Sequence, residues 1–272
     1  MMKNFPIVTI VMPSLNHSIF IEQAIQSVIT QDYPQIELIV MDGGSIDGTI
    51  EILKKYSNLI SWYSKPDQGL YDAVNKGWEL AKGDYIGYLN CDDCLCPVAV
   101  NTLVENLIED PSIPFVYGDY YRINQQGNIL ETYHSKEPDL NNLLRNGNYI
   151  FTGSMLFRRS ILDEIGWLDL QYKYAADYDF CIRIAQKYSM VHVPLPLAMF
   201  RMHNDSKSQN SKWKMWQETI DISYRYSDMH YFSLHSRYWL DRLFHLMPET
   251  VFFQKPLVFF RKFLRLLWGL GN

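Results

Sequence analysis

The chain has no run of about 18 apolar residues, the length a membrane-crossing helix needs, so no transmembrane span is expected. Its opening stretch, MMKNFPIVTIVMPSLNHS, holds too short an apolar run for a secretory signal, and no small-residue cleavage site follows. Cysteine is scarce, and three of the four (Cys91, Cys94 and Cys96, with Cys181 apart) crowd into CDDCLC. That crowding excludes a disulfide framework, and no fourth ligand stands at a zinc-site spacing, so reduced thiols of a cytosolic protein are expected. No Gly-Lys-Ser/Thr loop follows a strand, which excludes a Walker-type phosphate grip. Positive charge is short in the body: 14 Lys and Arg stand against 24 Asp and Glu up to Phe200, and 11 against 6 beyond it. An acidic body with a basic, aromatic tail argues against nucleic acid and points to an anionic surface such as a membrane.

What is present is a regular alternation. Strand-like runs IVTIVM (7–12), IELIVMD (36–42), ISWYSK (60–65) and DYIGYLN (84–90) are spaced by helix-like IFIEQAIQSVIT (19–30), IEILKKY and LYDAVNKGWELAKG (70–83). The last of these helices reads as stopped by Gly83. Strands separated by helices of this length imply βαβ units, a parallel sheet and helices on both faces. In such a sheet ligands bind beyond the carboxyl ends of the strands. Polar clusters follow each strand in turn: PSLN, DGGSIDGT, KPDQG and NCDD. All four reach one edge, and that edge is the expected site. Farther on, residues 115–133 read as a hairpin turning at 125–128, 176–188 as an amphipathic helix and 191–203 as extended chain.

Two clusters carry chemistry. Asp92 and Asp93 end the fourth strand side by side, and two unpaired carboxylates there repel unless a cation joins them. Hard oxygens at a strand end suit Mg²⁺ or Mn²⁺, with waters and phosphates filling the other positions. In DGGSIDGT an EF-hand is excluded, because Leu53 stands where the loop needs Glu. Asp42 is then expected to line a pocket and accept from a ligand, with Asp47 capping the next helix.

VTIVMPSLN, ELIVMDGGSIDGT, SKPDQGLYDAVNKG, AKGDYIGYLNCDD and ADYDF, in this order, resemble the family 2 glycosyltransferases of the GT-A fold. The stretch KPDQGLYDAVNKG is similar to bacterial members that build exopolysaccharides and O-antigens. The resemblance covers roughly residues 7–205. It implies an α/β GT-A fold: a Rossmann-like nucleotide-sugar-binding half (1–96) on a mostly parallel sheet and an acceptor-binding half (97–205). A helical C-terminal extension (206–272) follows.

The resemblance also implies roles. Asp42 would accept from the imide N–H of a uracil or thymine, and Pro13 and Asn16 would border the nucleoside. Lys65, Asp67 and Asn75 would lie near the sugar and diphosphate. Asp92 and Asp93 stand at the metal-binding DXD motif, where Asn90 replaces the first acid; Asp92 would also contact the donor. His203 would reach the metal or diphosphate, and Arg201 would neutralise phosphate charge. Asp177 falls at the general base of an ED pair in which Ala176 replaces Glu; Asp179, two residues along the helix, points elsewhere. The implied reaction is an inverting, Mn²⁺- or Mg²⁺-dependent transfer. A sugar would pass from a UDP- or dTDP-linked donor to a hydroxyl of a glycan or lipid-linked acceptor, in surface-polysaccharide biosynthesis.

In the tail FFQKPLVFFRKFLRLLWGLGN, Lys255, Arg261, Lys262 and Arg265 share one helical arc. Phe259, Phe260, Phe263, Leu264, Leu266 and Leu267 share the other. That pattern suits a helix lying in a membrane interface, placing the protein on the inner face of the cytoplasmic membrane; packing on the catalytic domain or on a second subunit, as in a homodimer, is the competing reading. Two rival functions compete with this reading. A sugar-nucleotide pyrophosphorylase needs a Gly-rich basic signature after strand one, which PSLNHS lacks. A catalytically inactive membrane scaffold draws on Asn90 and Ala176.

Overall fold

The computed structural model describes residues 5–204, 206 and 211–246. The chain begins β1 (Val8–Ser14), α1 (Ile21–Ile29), β2 (Ile36–Asp42), α2 (Thr49–Lys55), β3 (Ser61–Ser64), α3 (Leu70–Leu80) and β4 (Tyr85–Tyr88). It continues β5 (Cys94–Leu95), α4 (Ala99–Glu109), the hairpin β6 (Phe115–Ile123) and β7 (Ile129–Tyr133), then α5 (Leu140–Asn146). It ends β8 (Met155–Arg158), α6 (Leu162–Ile165), α7 (Ala176–Lys187), β9 (Met190–Arg201), α8 (Lys212–Ser227) and α9 (Phe232–Leu246).

One sheet carries all these strands in the order β3-β2-β1-β4-β8-β6-β9-β5, with β7 on β6. β3, β2, β1 and β4 run parallel, as the alternation with helices requires. β8 runs antiparallel to both β4 and β6, while β9 returns parallel to β6. Residues 1–96 and 97–205, the two halves expected from the sequence, therefore share one sheet, joined where β4 meets β8 and where β5 meets β9.

Period-two alternation in β1 divides the core. Val8, Ile10 and Met12 face α1 and α4, among Ile21, Ile25, Leu103 and Leu107. Val11 points the other way, towards Val74 and Trp78 of α3 and Phe180 of α7. Trp78 anchors that second layer with its ring 5.2 Å from Phe157 and 5.6 Å from Phe180. Gly77 lets α3 lie close on β1, since a Cβ there would stand 2.3 Å from a Val11 methyl.

Gly83 has a different role from the helix stop expected. Helix α3 already ends at Leu80, with Ala81 extended. A Cβ at Gly83 would lie 2.6 Å from the Thr9 backbone nitrogen, so glycine is needed there for chain contact with β1.

Helices α8 and α9 pair with each other and with α5. Ile222 joins the α3/α7 core layer, and Ser223 donates to the Leu144 carbonyl at 2.8 Å. The basic and aromatic arc between residues 255 and 267 lies outside the described residues. Among the described residues no helix is long and apolar enough to cross a membrane.

Candidate active site

The four polar loops after β1, β2, β3 and β4 do meet at one sheet edge. Three of them, with segment 150–152, the start of α7 and the end of β9, enclose a cavity of about 480 Å³. Pro13, Asp67, Asn90, Asp92 and Asp177 are on its wall.

At one part of the wall Asp92 faces His203, whose Nε2 lies 3.0 Å from Asp92 Oδ2. One ring nitrogen of His17 and one of His203, with an oxygen of Asp92, all fall within 4.8 Å of one another. Imidazole and carboxylate suit Mn²⁺, and an open cleft beside them leaves coordination positions for phosphate oxygens. The residues fit the ion that the resemblance implies.

Asp93 does not join this cluster. It is 1% exposed, and its carboxylate accepts from the Arg201 backbone N–H at 2.8 Å and from the Asn90 amide at 3.3 Å. Burial, and then the charge of Asp92, push its carboxyl well above the usual range. The metal reading of Asp93 is thus corrected: the chain turns after Asn90 so that consecutive side chains point apart, Asp92 to the cleft and Asp93 to the interior.

Arg201 is likewise internal. Its guanidinium donates to the Asp92 carbonyl at 2.7 Å, to the Gln125 carbonyl at 3.0 Å and to Gln23 Oε1 at 2.7 Å. It is 1% exposed, so it holds the acidic turn onto β9 and has no free edge for a phosphate.

Asp177 opens α7 on the cavity wall. Tyr71 donates to its Oδ1 at 3.0 Å and Asn148 to its Oδ2 at 3.2 Å. Burial pushes its carboxyl up, against the pull of these bonds. Asp179 points away as helical spacing demands, buried against Arg183 at 2.8 Å and Tyr226 at 2.8 Å. The start of α7 has no cap from its own sequence. Glu218 of α8 supplies one, accepting from the backbone N–H groups of Lys173, Tyr174 and Ala175 at 2.7–2.9 Å.

Three donor-site expectations change. Asp42 is 2% exposed, and its carboxylate accepts from the Gly44 and Ser45 N–H groups and the Ser45 and Ser64 hydroxyls. With hydrogen bonds to both oxygens from the loop after β2 and from Ser64 of β3, Asp42 shapes the site without standing on its wall. Asn75 exchanges two hydrogen bonds with the Leu168 backbone, at 2.9 and 3.1 Å, and is spent tying α3 to the loop before α7. Lys65 is exposed, and its side chain is not on the cavity wall.

Asn16 takes a left-handed φ of 55°; its N–H donates to the Ser45 hydroxyl at 2.7 Å and its side-chain oxygen accepts from the Ile46 N–H at 2.9 Å, clasping the loop after β2. The N-cap of α2 is Gly48, and Asp47 just before it accepts from the N–H and hydroxyl of Thr49 and from the Ser18 N–H. Against some desolvation, these bonds hold its carboxyl down at about 2.

His17, Tyr71, Asn148 and Glu218 were not singled out from the sequence. Tyr71 lies inside KPDQGLYDAVNKG, but nothing local separates it from a core tyrosine. Only the fold brings its hydroxyl 106 positions along the chain to Asp177.

The profile described as Glycosyl transferase family 2 matches residues 9–166. A PGL/p-HBAD biosynthesis glycosyltransferase from Mycobacterium bovis is 32% identical over 192 residues, 68% of this chain and 72% of that protein. An uncharacterised glycosyltransferase of Rickettsia typhi is 29% identical over 227 residues, 78% of this chain and 69% of that one. Among solved structures, S. aureus TarS 1–349 with UDP-GlcNAc aligns at TM-score 0.64 and 16% identity, covering 88% of this chain and 73% of that chain. The chain spans 43% of a longer TarS structure. The Pyrobaculum calidifontis mannosyltransferase with GDP-Man and Mn²⁺ aligns at TM-score 0.65 and 19% identity, covering 87% of this chain and 70% of that chain. With the fold, the edge-of-sheet cleft and a family match over more than half its length, this chain belongs to glycosyl transferase family 2 and is an enzyme of the glycosyltransferase class.

Proposed function

We propose that the cleft binds a nucleotide-diphosphate sugar and that Asp177 removes the proton of an acceptor hydroxyl during an inverting transfer. The acceptor would be a glycan or a lipid-linked sugar of a surface polysaccharide or glycoconjugate. One observation carries this reading: Asp177 and Asp92, the latter paired with the buried His203, line the same cavity. A base and a diphosphate site must share one chamber for an in-line displacement at the anomeric carbon.

Asp92 and His203 would hold a divalent ion, Mn²⁺ by their donor chemistry. Once bound, such an ion supplies positive charge to a departing diphosphate. Pro13 and Asp67 border the donor, and the Asn90 side-chain oxygen, buried without a partner among the described residues, is placed to accept from a donor hydroxyl. Tyr71 and Asn148 hold Asp177 in position by donating to both of its oxygens. A raised carboxyl suits a base that must take a proton from an alcohol and then release it. These retained groups favour an active transferase over an inactive scaffold.

The experiment is a thermal-shift titration with UDP- and dTDP-sugars in the presence of Mn²⁺, with GDP-mannose as comparator. Because the Asp42 carboxylate is engaged by its own loop, base preference is read by this comparison. A donor at a hundredfold its dissociation constant stabilises the fold by about 2.7 kcal/mol, a shift of several degrees. EDTA should remove the shift. No stabilisation by any of these donors would refute the proposal.

A further inference from the structure

We propose that His17 is a third protein ligand of the divalent ion, which then sits on two imidazoles and one carboxylate. The inference rests on the donor-site reading above and deepens it, by adding a ligand from the loop after β1 to Asp92 and His203.

The tautomer of His17 is the first support. Its Nδ1 lies 2.8 Å from the Leu15 carbonyl oxygen, which can only accept. In the neutral ring Nδ1 therefore carries the hydrogen, which leaves Nε2 as the nitrogen that can bind an ion. Metal-bound imidazoles commonly donate their other N–H to just such a carbonyl, which fixes the ring and raises its basicity.

Position is the second. One ligand atom from each of His17, Asp92 and His203 lies within 4.8 Å of the other two. Ligands about 2.1 Å from a shared ion stand roughly 3 Å apart, so a modest side-chain turn closes the set.

Rigidity is the third. The His17 N–H donates to Thr49 Oγ1 at 3.2 Å, and its carbonyl accepts from Phe20 and Ile21 at 3.0 Å as α1 begins. Phe20 packs beside the two rings, 6.5 Å from His17 and 4.7 Å from His203, while the imidazoles meet edge to face at 6.4 Å. The ligand is thus set in place by three separate elements before any ion arrives.

Two nitrogens and one oxygen give a softer donor set than paired carboxylates, so Mn²⁺ or Co²⁺ should bind in clear preference to Mg²⁺. The test is Mn²⁺ binding to the full chain without nucleotide, read from the EPR signal of free Mn²⁺, for the unaltered protein, His17→Gln and Asp92→Asn. His17→Gln should weaken Mn²⁺ binding by at least ~10-fold, with Mg²⁺ binding changed less. Equal Mn²⁺ affinity in His17→Gln, beside loss in Asp92→Asn, overturns the His17 assignment and leaves the cleft reading standing. Unchanged affinity in both variants overturns both. A second measurement needs no variant: the Co²⁺-loaded chain should show two hyperfine-shifted imidazole N–H resonances, and a single one refutes the third ligand.

Discussion

At the scale of single residues, the carboxylate proposed as the base is held by two side-chain partners. Asp177 takes one hydrogen bond from a tyrosine and one from an asparagine on separate elements. Replacing it by Asn keeps the shape and removes the base. Transfer should fall by about 10²–10⁴-fold while donor binding survives, which turnover and a donor thermal shift together would check.

Tyr71→Phe acts through the same atom. Burial already raises the Asp177 carboxyl, and the Tyr71 hydroxyl opposes that rise by stabilising the ionised form. In the proposed role Asp177 works ionised, so the rate should climb with pH as it loses its proton. Without Tyr71 the carboxyl rises further, and the acid limb of kcat/KM should move to higher pH. A limb that stays in place, or moves to lower pH, refutes the coupling.

At the scale of elements, the helix bearing Asp177 is held at its start by a residue from another helix. Three backbone N–H groups before α7 converge on Glu218 of α8. Glu218→Ala leaves these donors without their acceptor, at a cost of about 1–3 kcal/mol in stability. The melting temperature should fall by several degrees, and kcat should drop more than donor KM rises, because the start of α7 sets Asp177 and not the donor loops. A variant with unchanged melting and kcat would show that the cap positions nothing.

The strands were legible at this scale because β-branched runs ending in polar loops leave a local trace. β2 occupies the very range read from the sequence, and the hairpin β6–β7 turns at Gly127 with a φ of 89°. The end of α3 was less legible. Gly83 looks like a stop signal in the sequence, yet its absent side chain answers to Thr9, 74 positions away.

At the scale of the molecule, charge is divided between an acidic catalytic body and a basic terminus. The described part of that terminus, α8 and α9, packs on α5 and leaves Phe232, Trp239 and Leu243 exposed. We propose that the following segment, with Lys255, Arg261, Lys262 and Arg265, attaches the protein to anionic membrane. Each basic side chain near such a surface contributes about 1 kcal/mol, so removing residues 250–272 should weaken liposome binding by up to ~10³-fold. Equal binding of the truncated and full chains to anionic vesicles would refute it.

The sequence by itself determined the alternation of strands and helices, and with it the edge where four polar loops gather. Both follow from local periodicity and from the rule that parallel strands end together. Which of two adjacent acids faces a ligand was left to tertiary structure. Asp92 and Asp93 are chemically alike, and only the arrival of β9, bringing Arg201 to one and His203 to the other, tells them apart. Asp42 and Asn75 were decided the same way. A carboxylate or amide can serve a ligand or its own loop, and the choice depends on which donors the folded chain carries to it.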